Sequence, residues 1–391
     1  MLMARRLRSL KCAPPRPRPF VDFYMKHGVI PTRQDISNLP RHLDRRSALY
    51  RSLGIIPSYL RGCSILEFGP GSGHNAVHTL SLDPKRYVLV DANQASLKSS
   101  RQLVAQHRRK TDCQVVDCEI ESFTTRERFD LVLCEGVVPT QINPAQFTRK
   151  VAHMAKPGGV VVITCMDPVS VLPEILRRYL AQQIAPAELP FAERVKILTR
   201  YFLPHMRTLK NMSRKPEDWV IDVAIHPWSG RLFSMATAMK ALQGRAVPLG
   251  SSPKFLTDWR WYKDIHGVST YDLKQPLDDY HSHVHNFLDF RSEARSKKPS
   301  SNLPLIRLAG DIYDRVYTVE RKGKPYPRTK ISQDVQKVAR MVEADIPEAA
   351  QALREYAAHV KNLQVTKPSP FRHFQKLWGR GQQYISFVVE E

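Results

Sequence analysis

The chain has 391 residues, 42% of them hydrophobic, and its 60 lysines and arginines against 37 aspartates and glutamates give a net charge of +23. This length and hydrophobic content exceed the needs of one minimal domain, so we expect one folded core with additions. The longest apolar stretch is far shorter than the roughly 18 residues of a membrane-spanning helix. The sequence therefore predicts no membrane span.

The positive charge is concentrated at the start of the chain, where residues 1–51 contain 12 basic and 3 acidic residues. Such an excess suits an anionic partner, namely a nucleic acid, a phosphorylated metabolite or an anionic lipid surface, but it also occurs in basic proteins without a dedicated partner. Residues 1–20 are rich in arginine and proline and lack the apolar stretch of a secretory signal. They are predicted to form a disordered basic leader. The six cysteines include no C-x-x-C pair, as expected for reduced thiols in a cytoplasmic protein.

A helical lead-in is predicted over residues 21–62, and the sequence SILEFGPGSGHN follows at residues 64–75. An apolar strand there ends in a turn in which Gly69, Gly71 and Gly73 alternate with other residues. Glycine permits positive φ and close approach of a ligand to the backbone. The dinucleotide fingerprint G-x-G-x-x-G would require a glycine at His74, so NAD is disfavoured. Glu67 ends the strand at the edge where such sheets bind ligands.

A second strand, YVLV at residues 87–90, ends at Asp91, which lies 18 residues beyond Gly73. A carboxylate at this position in a βαβ unit accepts hydrogen bonds from the hydroxyls of a ribose. The ligand predicted from these two strands is an adenosyl compound.

These residues resemble motif I and the acid after the second strand in class I S-adenosylmethionine-dependent methyltransferases. Within this family, the chain resembles the bacterial enzymes that modify small molecules and glycans. Later elements of this family appear in family order over roughly 100 residues. They are a third strand at 114–116 followed by Asp117 and Cys118, a fourth at 129–134 followed by Glu135 and Gly136, and a Pro-Gly-Gly turn into a fifth strand over 156–165.

The resemblance implies an α/β fold, a Rossmann-like sheet of seven strands with six parallel and the last antiparallel, and S-adenosyl-L-methionine as cofactor. It places the cofactor's amino-acid end on Glu67 and the three glycines, its ribose on Asp91, and its adenine on Asp117 and Cys118. Glu135 would lie at the mouth of the reaction site. Tyr50 and Arg51 of the lead-in would lie near the cofactor's entry.

The two remaining strands must lie downstream of residue 166. An amphipathic helix over 232–243 and a short strand over 244–250 suit the sixth, and QYISFVV at 383–389 suits the seventh. The predicted organisation is a leader (1–20), a lead-in (21–62), the cofactor-binding core (63–166), a helical lid (167–231), a core helix with strand six (232–250), a second insertion with the substrate region and C-terminal helices (251–381), and strand seven (382–391).

The second insertion contains YHSHVHN, in which His281, His283 and His285 alternate. On a strand they would share one face, where a ring could act as general base near neutral pH. A polar hydrogen-bonded patch and a metal site are the alternatives, although neighbouring cysteine or carboxylate ligands are missing, so no metal is predicted. Asp258, with Trp259 and Trp261, would line a pocket for a sugar or ring, or would pack between domains.

Two types of methyl transfer are disfavoured because the sequence lacks the motifs that they require. The N/D-P-P-Y/F motif of adenine and glutamine N-methyltransferases would follow strand four, where this chain has EGVVPTQ, and the P-C motif of cytosine C5 enzymes is absent. We therefore expect a methyltransferase that acts on a small, anionic or glycosylated molecule, most simply at oxygen. The alternatives are an RNA methyltransferase that uses the basic N-terminus, and a cofactor-binding regulatory or scaffold protein without turnover.

Overall fold

A computed structural model describes residues 19–29, 34–227, 232–293, 295–364 and 369–390. The predicted disordered leader, residues 1–20, lies outside the described residues apart from its last two. The described residues form two compact units: unit 1 comprises those up to residue 165, those within 229–277 and those from 383 onward, and unit 2 comprises those within 166–228 and 278–382.

Unit 1 is built on a seven-stranded sheet. Its strands, in chain order, are β1 (Ser64–Phe68), β2 (Arg86–Asp91), β3 (Asp112–Asp117), β4 (Phe129–Cys134), β5 (Ala155–Met166), β6 (Ala246–Ser252) and β7 (Gln382–Val389). Their order in the sheet is β3-β2-β1-β4-β5-β7-β6. The strands from β3 to β5 pair in parallel, and β7 runs antiparallel to β6. The predicted Rossmann-like sheet is therefore confirmed.

Strand β1 lies in the interior of the sheet, and its apolar residues are buried because helices cover both faces of such a sheet. Leu66 pairs with Val88 of β2 on one side and with Val132 of β4 on the other. The strand order reverses between β1 and β4. Sheets of this kind bind ligands outside the carboxyl ends of the strands at such a reversal.

The helices of unit 1 connect these strands or precede them. They are α1 (Pro19–His27), α2 (Leu39–Ser52), α3 (His74–Ser81), α4 (Gln94–His107), α5 (Pro144–His153) and, after unit 2 begins and returns, α9 (Met235–Leu242). The predicted helix start at Asn143 is confirmed, since its side chain accepts a hydrogen bond from the Gln146 amide and Pro144 opens α5.

Unit 2 is helical. Its helices are α6 (Pro168–Ile184), α7 (Phe191–Met206), α8 (Pro216–Trp219), α11 (Leu303–Lys322), α12 (Arg328–Val342) and α13 (Pro347–Lys361), while α10 (Lys274–His283) begins in unit 1 and ends in unit 2. Arg177 of α6 is fully buried, and its guanidinium donates hydrogen bonds to the carbonyl oxygens of Phe374 and Leu377 and lies 3.7 Å from the ring centroid of Trp378. These contacts satisfy a buried charge that would otherwise be costly.

In the described part of the chain, no helix combines the length and the apolar character that crossing a membrane requires.

Candidate functional site

The glycine turn, residues 69–73, connects β1 to α3 at the reversal of strand order. Gly69, Gly71 and Gly73 all have positive φ, at +66°, +56° and +81°. A Cβ at Gly69 would lie 2.4 Å from Cγ2 of Val137, so a side chain cannot be accommodated there without movement. The turn therefore requires glycine for both its backbone conformation and its close packing.

Hydrogen bonds from α4 hold the far side of this turn. The Ser99 hydroxyl donates to the carbonyl oxygen of Ser72 at 2.8 Å, and the Ser100 hydroxyl donates to that of Gly71 at 3.0 Å. The Gly71 amide donates to a carboxylate oxygen of Asp91 at 3.3 Å. The backbone of the turn is thus fixed before any ligand binds.

Asp91 ends β2 beside the turn, as predicted. Its second carboxylate oxygen accepts a hydrogen bond from the Asn93 amide at 2.8 Å, and burial raises the pKa of this carboxyl to about 6. The side-chain nitrogen of Asn93 is buried and has no hydrogen-bond partner. A buried amide donor beside a carboxylate suits a ligand that offers both acceptors and hydroxyl donors.

Asp117 and Cys118 follow β3 at the same edge of the sheet. Asp117 is exposed and accepts a hydrogen bond from the Gln94 side chain at 2.8 Å, whereas Cys118 is buried. The Cys118 amide donates to the carbonyl oxygen of Asp91 at 3.0 Å, which links the ends of β2 and β3.

Glu67, at the end of β1, is almost completely buried, and its carboxyl accepts a hydrogen bond from the Tyr87 hydroxyl. Burial, together with the negative charge of Glu135, raises the pKa of Glu67 to about 8. The group is therefore protonated over most of the range below pH 8, and a cation placed beside it would favour its ionisation.

Glu135, directly after β4, forms a bidentate ion pair with Arg46 of α2, with N···O distances of 2.5 and 2.9 Å. The side chains are only 8% and 10% exposed, so the pair is largely removed from solvent. The Asn75 amide side chain also lies 3.5 Å from Glu135. Glu135 thus contacts α2 of the lead-in and the first turn of α3, which follows the glycine turn.

The sequence analysis missed Arg46, together with the buried polar face of α2. His42, Arg46 and Tyr50 are spaced four residues apart on this helix, and all three are buried. A ring nitrogen of His42 contacts the carbonyl oxygen of His74 at 3.0 Å, and the Tyr50 hydroxyl contacts that of Thr79 at 3.3 Å. Arg51, which we expected near the cofactor's entry, is exposed.

The three histidines lie on α10 and on the 3-10 helix Val284–Leu288 that follows it, so the expected strand is wrong. The buried residues Tyr280, Val284 and Phe287 recur at helical spacing, and this apolar pattern determines the local structure. The histidines therefore do not share one face by alternation.

His283 and His285 differ in which ring nitrogen carries the proton. Nδ1 of His283 lies 2.8 Å from the carbonyl oxygen of Asp279, to which it must donate, so its Nε2 is left as an acceptor. Nδ1 of His285 accepts from the Asn302 side chain at 3.0 Å, so its buried and unpartnered Nε2 carries the proton. Burial also lowers the pKa of His285 to about 4.

The residues described include no group of three or more histidine, cysteine, aspartate or glutamate side chains that could hold a metal ion. His281 lies on α10 together with His283. Of the rings of His283 and His285, only that of His283 has an unprotonated Nε2 that could accept a proton as a general base.

The aromatic segment, residues 258–272 of unit 1, exposes its rings instead of packing them in a core. Trp259 is 84% exposed, Trp261 60% and Tyr262 73%. Arg260 fixes the segment, because its guanidinium pairs with Asp258 and donates to the carbonyl oxygen of Ser269 at 2.5 Å. The rings are thus presented on an ordered loop.

Comparison with known proteins gives one family match. Residues 60–202 match a family model described as a methyltransferase domain. No curated protein matches the chain.

Solved structures similar to this chain include the CcbJ methyltransferase from Streptomyces caelestis, with 17% identity, coverage of 36% of this chain and 58% of that one, and a TM-score of 0.29. A putative methyltransferase from Thermoplasma acidophilum has 24% identity, coverage of 30% and 50%, and a TM-score of 0.25. The N-methyltransferase NodS from Bradyrhizobium japonicum WM9, in complex with S-adenosyl-L-homocysteine, has 18% identity, coverage of 39% and 74%, and a TM-score of 0.30. The chain spans about half the length of the first two, and at these TM-scores none of the three carries an argument about function.

Proposed function

We propose that this chain, whose residues 60–202 match a family model described as a methyltransferase domain, is a class I S-adenosylmethionine-dependent methyltransferase. It transfers a methyl group from S-adenosylmethionine to an oxygen of a small, glycosylated acceptor. The observation that supports the cofactor is the fixed glycine turn between two buried acids, Glu67 and Asp91.

The residues at the carboxyl ends of β1 and β2 fit the cofactor chemically. S-adenosylmethionine has two positive charges, on its sulfonium and its ammonium group, and Glu67 is a buried carboxyl that a neighbouring cation would ionise. The ribose would bind at Asp91, where each carboxylate oxygen accepts one backbone amide and retains lone pairs for hydroxyl donors. The unpartnered side-chain nitrogen of Asn93 offers a donor to the nucleoside.

When bound, the cofactor supplies a methyl group that is already activated for nucleophilic attack. The protein then has to align the acceptor with it and exclude water, and orientation of this kind accounts for a large part of the rate. An acceptor hydroxyl must also lose its proton. His283 is the candidate base because its Nδ1 is held by the Asp279 carbonyl and its Nε2 is free to accept. His281 and His285 are weaker candidates for this role.

The aromatic segment supports a glycosylated acceptor. Its three exposed rings alternate with charged residues of both signs, so the segment offers apolar faces and hydrogen-bonding groups without net attraction for a polyanion. Lys263 lies 5.1 Å from the ring centroid of Trp261 and leaves the ring's other face for a sugar. A sugar ring combines apolar and hydroxylated surfaces in the same way.

The test is a search with S-adenosylmethionine carrying a labelled methyl group, run in parallel on matched pairs of aglycones and glycosides. We expect transfer to glycosides, and Trp259→Ala with Trp261→Ala should lower kcat/KM for them while leaving cofactor affinity unchanged. Tyr59→Ala, at another ring that is 74% exposed, is the matched control. Equal transfer to aglycones and an unaffected tryptophan variant would contradict the proposed acceptor.

The net charge of +23 favours a second candidate, an RNA methyltransferase whose basic N-terminus binds the phosphate backbone. Labelled methyl transfer to total RNA, falling steeply between 50 and 200 mM salt, would support this alternative. Cofactor binding without transfer to any fraction would instead support a regulatory or scaffold protein.

A further inference from the structure

We propose that Arg46 and Glu135 form the binding site for the amino-acid end of the cofactor, with Arg46 holding its carboxylate and Glu135 its ammonium group. The inference rests on the proposed use of S-adenosylmethionine and extends it to a residue of the lead-in helix. The sequence pattern had assigned this end of the cofactor to Glu67 and the glycine turn.

The first observation is an unsatisfied donor. Arg46 is 6% exposed, and two of its guanidinium nitrogens bind Glu135, but its Nε is buried and has no hydrogen-bond partner. Buried N–H groups in native proteins are nearly always paired, and an unpaired one costs free energy. An arginine binds a carboxylate in bidentate fashion through its planar fork of donors. The unpaired donor is therefore available to an anionic group.

The second observation is the position of the pair. Glu135 follows β4 and Glu67 is the penultimate residue of β1, and the order of the sheet reverses between these two strands. The charges of Arg46 and Glu135 both act on Glu67, which places the three groups in one buried cluster. His42, one helical turn before Arg46, contacts the backbone at the start of α3, immediately after the glycine turn.

The third observation is the charge balance. Arg46 and Glu135 together are neutral, and so is the amino-acid end of the cofactor, which has one carboxylate and one ammonium group. Each protein charge can therefore exchange its partner for the opposite charge of the ligand without creating an uncompensated buried ion. In the protein alone, the two side chains neutralise each other.

The fourth observation is the anchoring of α2, which positions Arg46. Ser47 contacts a ring nitrogen of His78 at 2.9 Å, and Tyr50 packs edge-to-face on the same imidazole ring, with centroids 4.9 Å apart. A helix held by such contacts presents the guanidinium in a fixed place, as a binding residue requires.

The test uses two ligands that differ in the amino-acid end, whose carboxylate Arg46 would bind and whose ammonium group Glu135 would bind. S-adenosylhomocysteine has the amino-acid end, and 5′-methylthioadenosine lacks it. We expect Arg46→Met to weaken S-adenosylhomocysteine binding by on the order of 10- to 100-fold, the usual effect of losing a charged hydrogen bond. Binding of 5′-methylthioadenosine should change less than about threefold, since ordinary context effects are of that size. Arg45→Met, at an exposed arginine of the same helix, is the matched control and should affect neither ligand.

A second arm alters the ligand instead of the protein. Decarboxylated S-adenosylmethionine should bind the wild-type protein more weakly than S-adenosylmethionine by a similar factor, and Arg46→Met should show no further loss on decarboxylation. Glu135→Gln should weaken binding of both cofactor forms, because the ammonium group remains in both.

Two results would overturn the proposal. If Arg46→Met binds S-adenosylhomocysteine as the wild type does, or if it loses both ligands equally, Arg46 does not contact the amino-acid end. If the wild-type protein binds neither adenosyl ligand, the proposed cofactor itself is wrong, and this outcome is distinct because it needs no variant.

Discussion

Replacing Glu67 by glutamine should make the stability of the protein less sensitive to pH. Glu67 is buried at the end of β1, and its pKa is about 8 in the folded protein against 4.5 for an ordinary glutamate. Below pH 4.5 the carboxyl is protonated in both the folded and the unfolded chain. Between pH 4.5 and pH 8 the unfolded chain gains stability by ionising, while the folded protein keeps the proton. The stabilising contribution of a protonated Glu67 is therefore lost as the pH rises through this window.

The size of the expected change in the free energy of unfolding follows from the width of this pH window. Each pH unit is worth about 1.4 kcal/mol for one proton, so the three units between pH 5 and pH 8 correspond to about 4 kcal/mol. Glutamine has nearly the same shape, can accept the hydrogen bond of Tyr87, and does not titrate. The free energy of unfolding of Glu67→Gln, relative to wild type, should therefore rise by about 4 kcal/mol between these two pH values.

The assay is denaturant unfolding followed by circular dichroism at several pH values from 5 to 8, with wild type and variant side by side. Glu217→Gln, at an exposed carboxyl, controls for replacing an acid by an amide. A difference between wild type and Glu67→Gln that stays constant within about 1 kcal/mol from pH 5 to pH 8 would refute the reasoning, because Glu67 would then be ionised in the folded protein.

Three further predictions concern the site. Gly69→Ala should weaken cofactor binding more than tenfold and lower the free energy of unfolding by about 1–3 kcal/mol, because its Cβ would lie 2.4 Å from Cγ2 of Val137 at a φ of +66°. Calorimetry measures the binding and thermal unfolding measures the stability. Partial rescue by Val137→Ala would confirm the steric cause. Asp91→Ala should reduce S-adenosylmethionine affinity at least about tenfold by calorimetry, and unchanged affinity would contradict the ribose assignment. His283→Gln should reduce methyl transfer about 10²- to 10⁴-fold while leaving cofactor affinity unchanged, whereas His281→Gln should have a smaller effect; full activity of the first variant would exclude His283 as the base.

Most of the fold was predictable because it depends on local apolar pattern and on glycine. The strands β1, β4 and β5 each contain a mostly apolar run that ends at or next to an acid, and such runs suit the buried interior of a parallel sheet. The turn at residues 69–73 was predictable for a related reason, since alternating glycines are needed only where the backbone adopts positive φ.

The parts that could not be predicted depend on tertiary contacts. Arg46 lies in a helix with several other arginines, and nothing in the sequence distinguishes it from exposed Arg45, because burial of a guanidinium depends on a carboxylate 89 positions away. The alternation of His281, His283 and His285 indicated a strand, but their apolar neighbours follow a helical period that overrides it.

The last strand of the chain enters the sheet between β5 and β6, and this position affects how the domain can be cut. On β7, the Ser386 hydroxyl donates to the carbonyl oxygen of Leu53, just after α2, and also contacts that of Gly250 in β6. Three stretches of chain separated by hundreds of residues meet at this one hydroxyl. A fragment limited to residues 60–202 would lack α2, β6 and β7, leaving the outer edge of β5 unpaired and open to aggregation. During synthesis, too, β6 cannot pair until β7 has been made, so this edge of the sheet forms only after the long stretch of chain between the two strands has been synthesised.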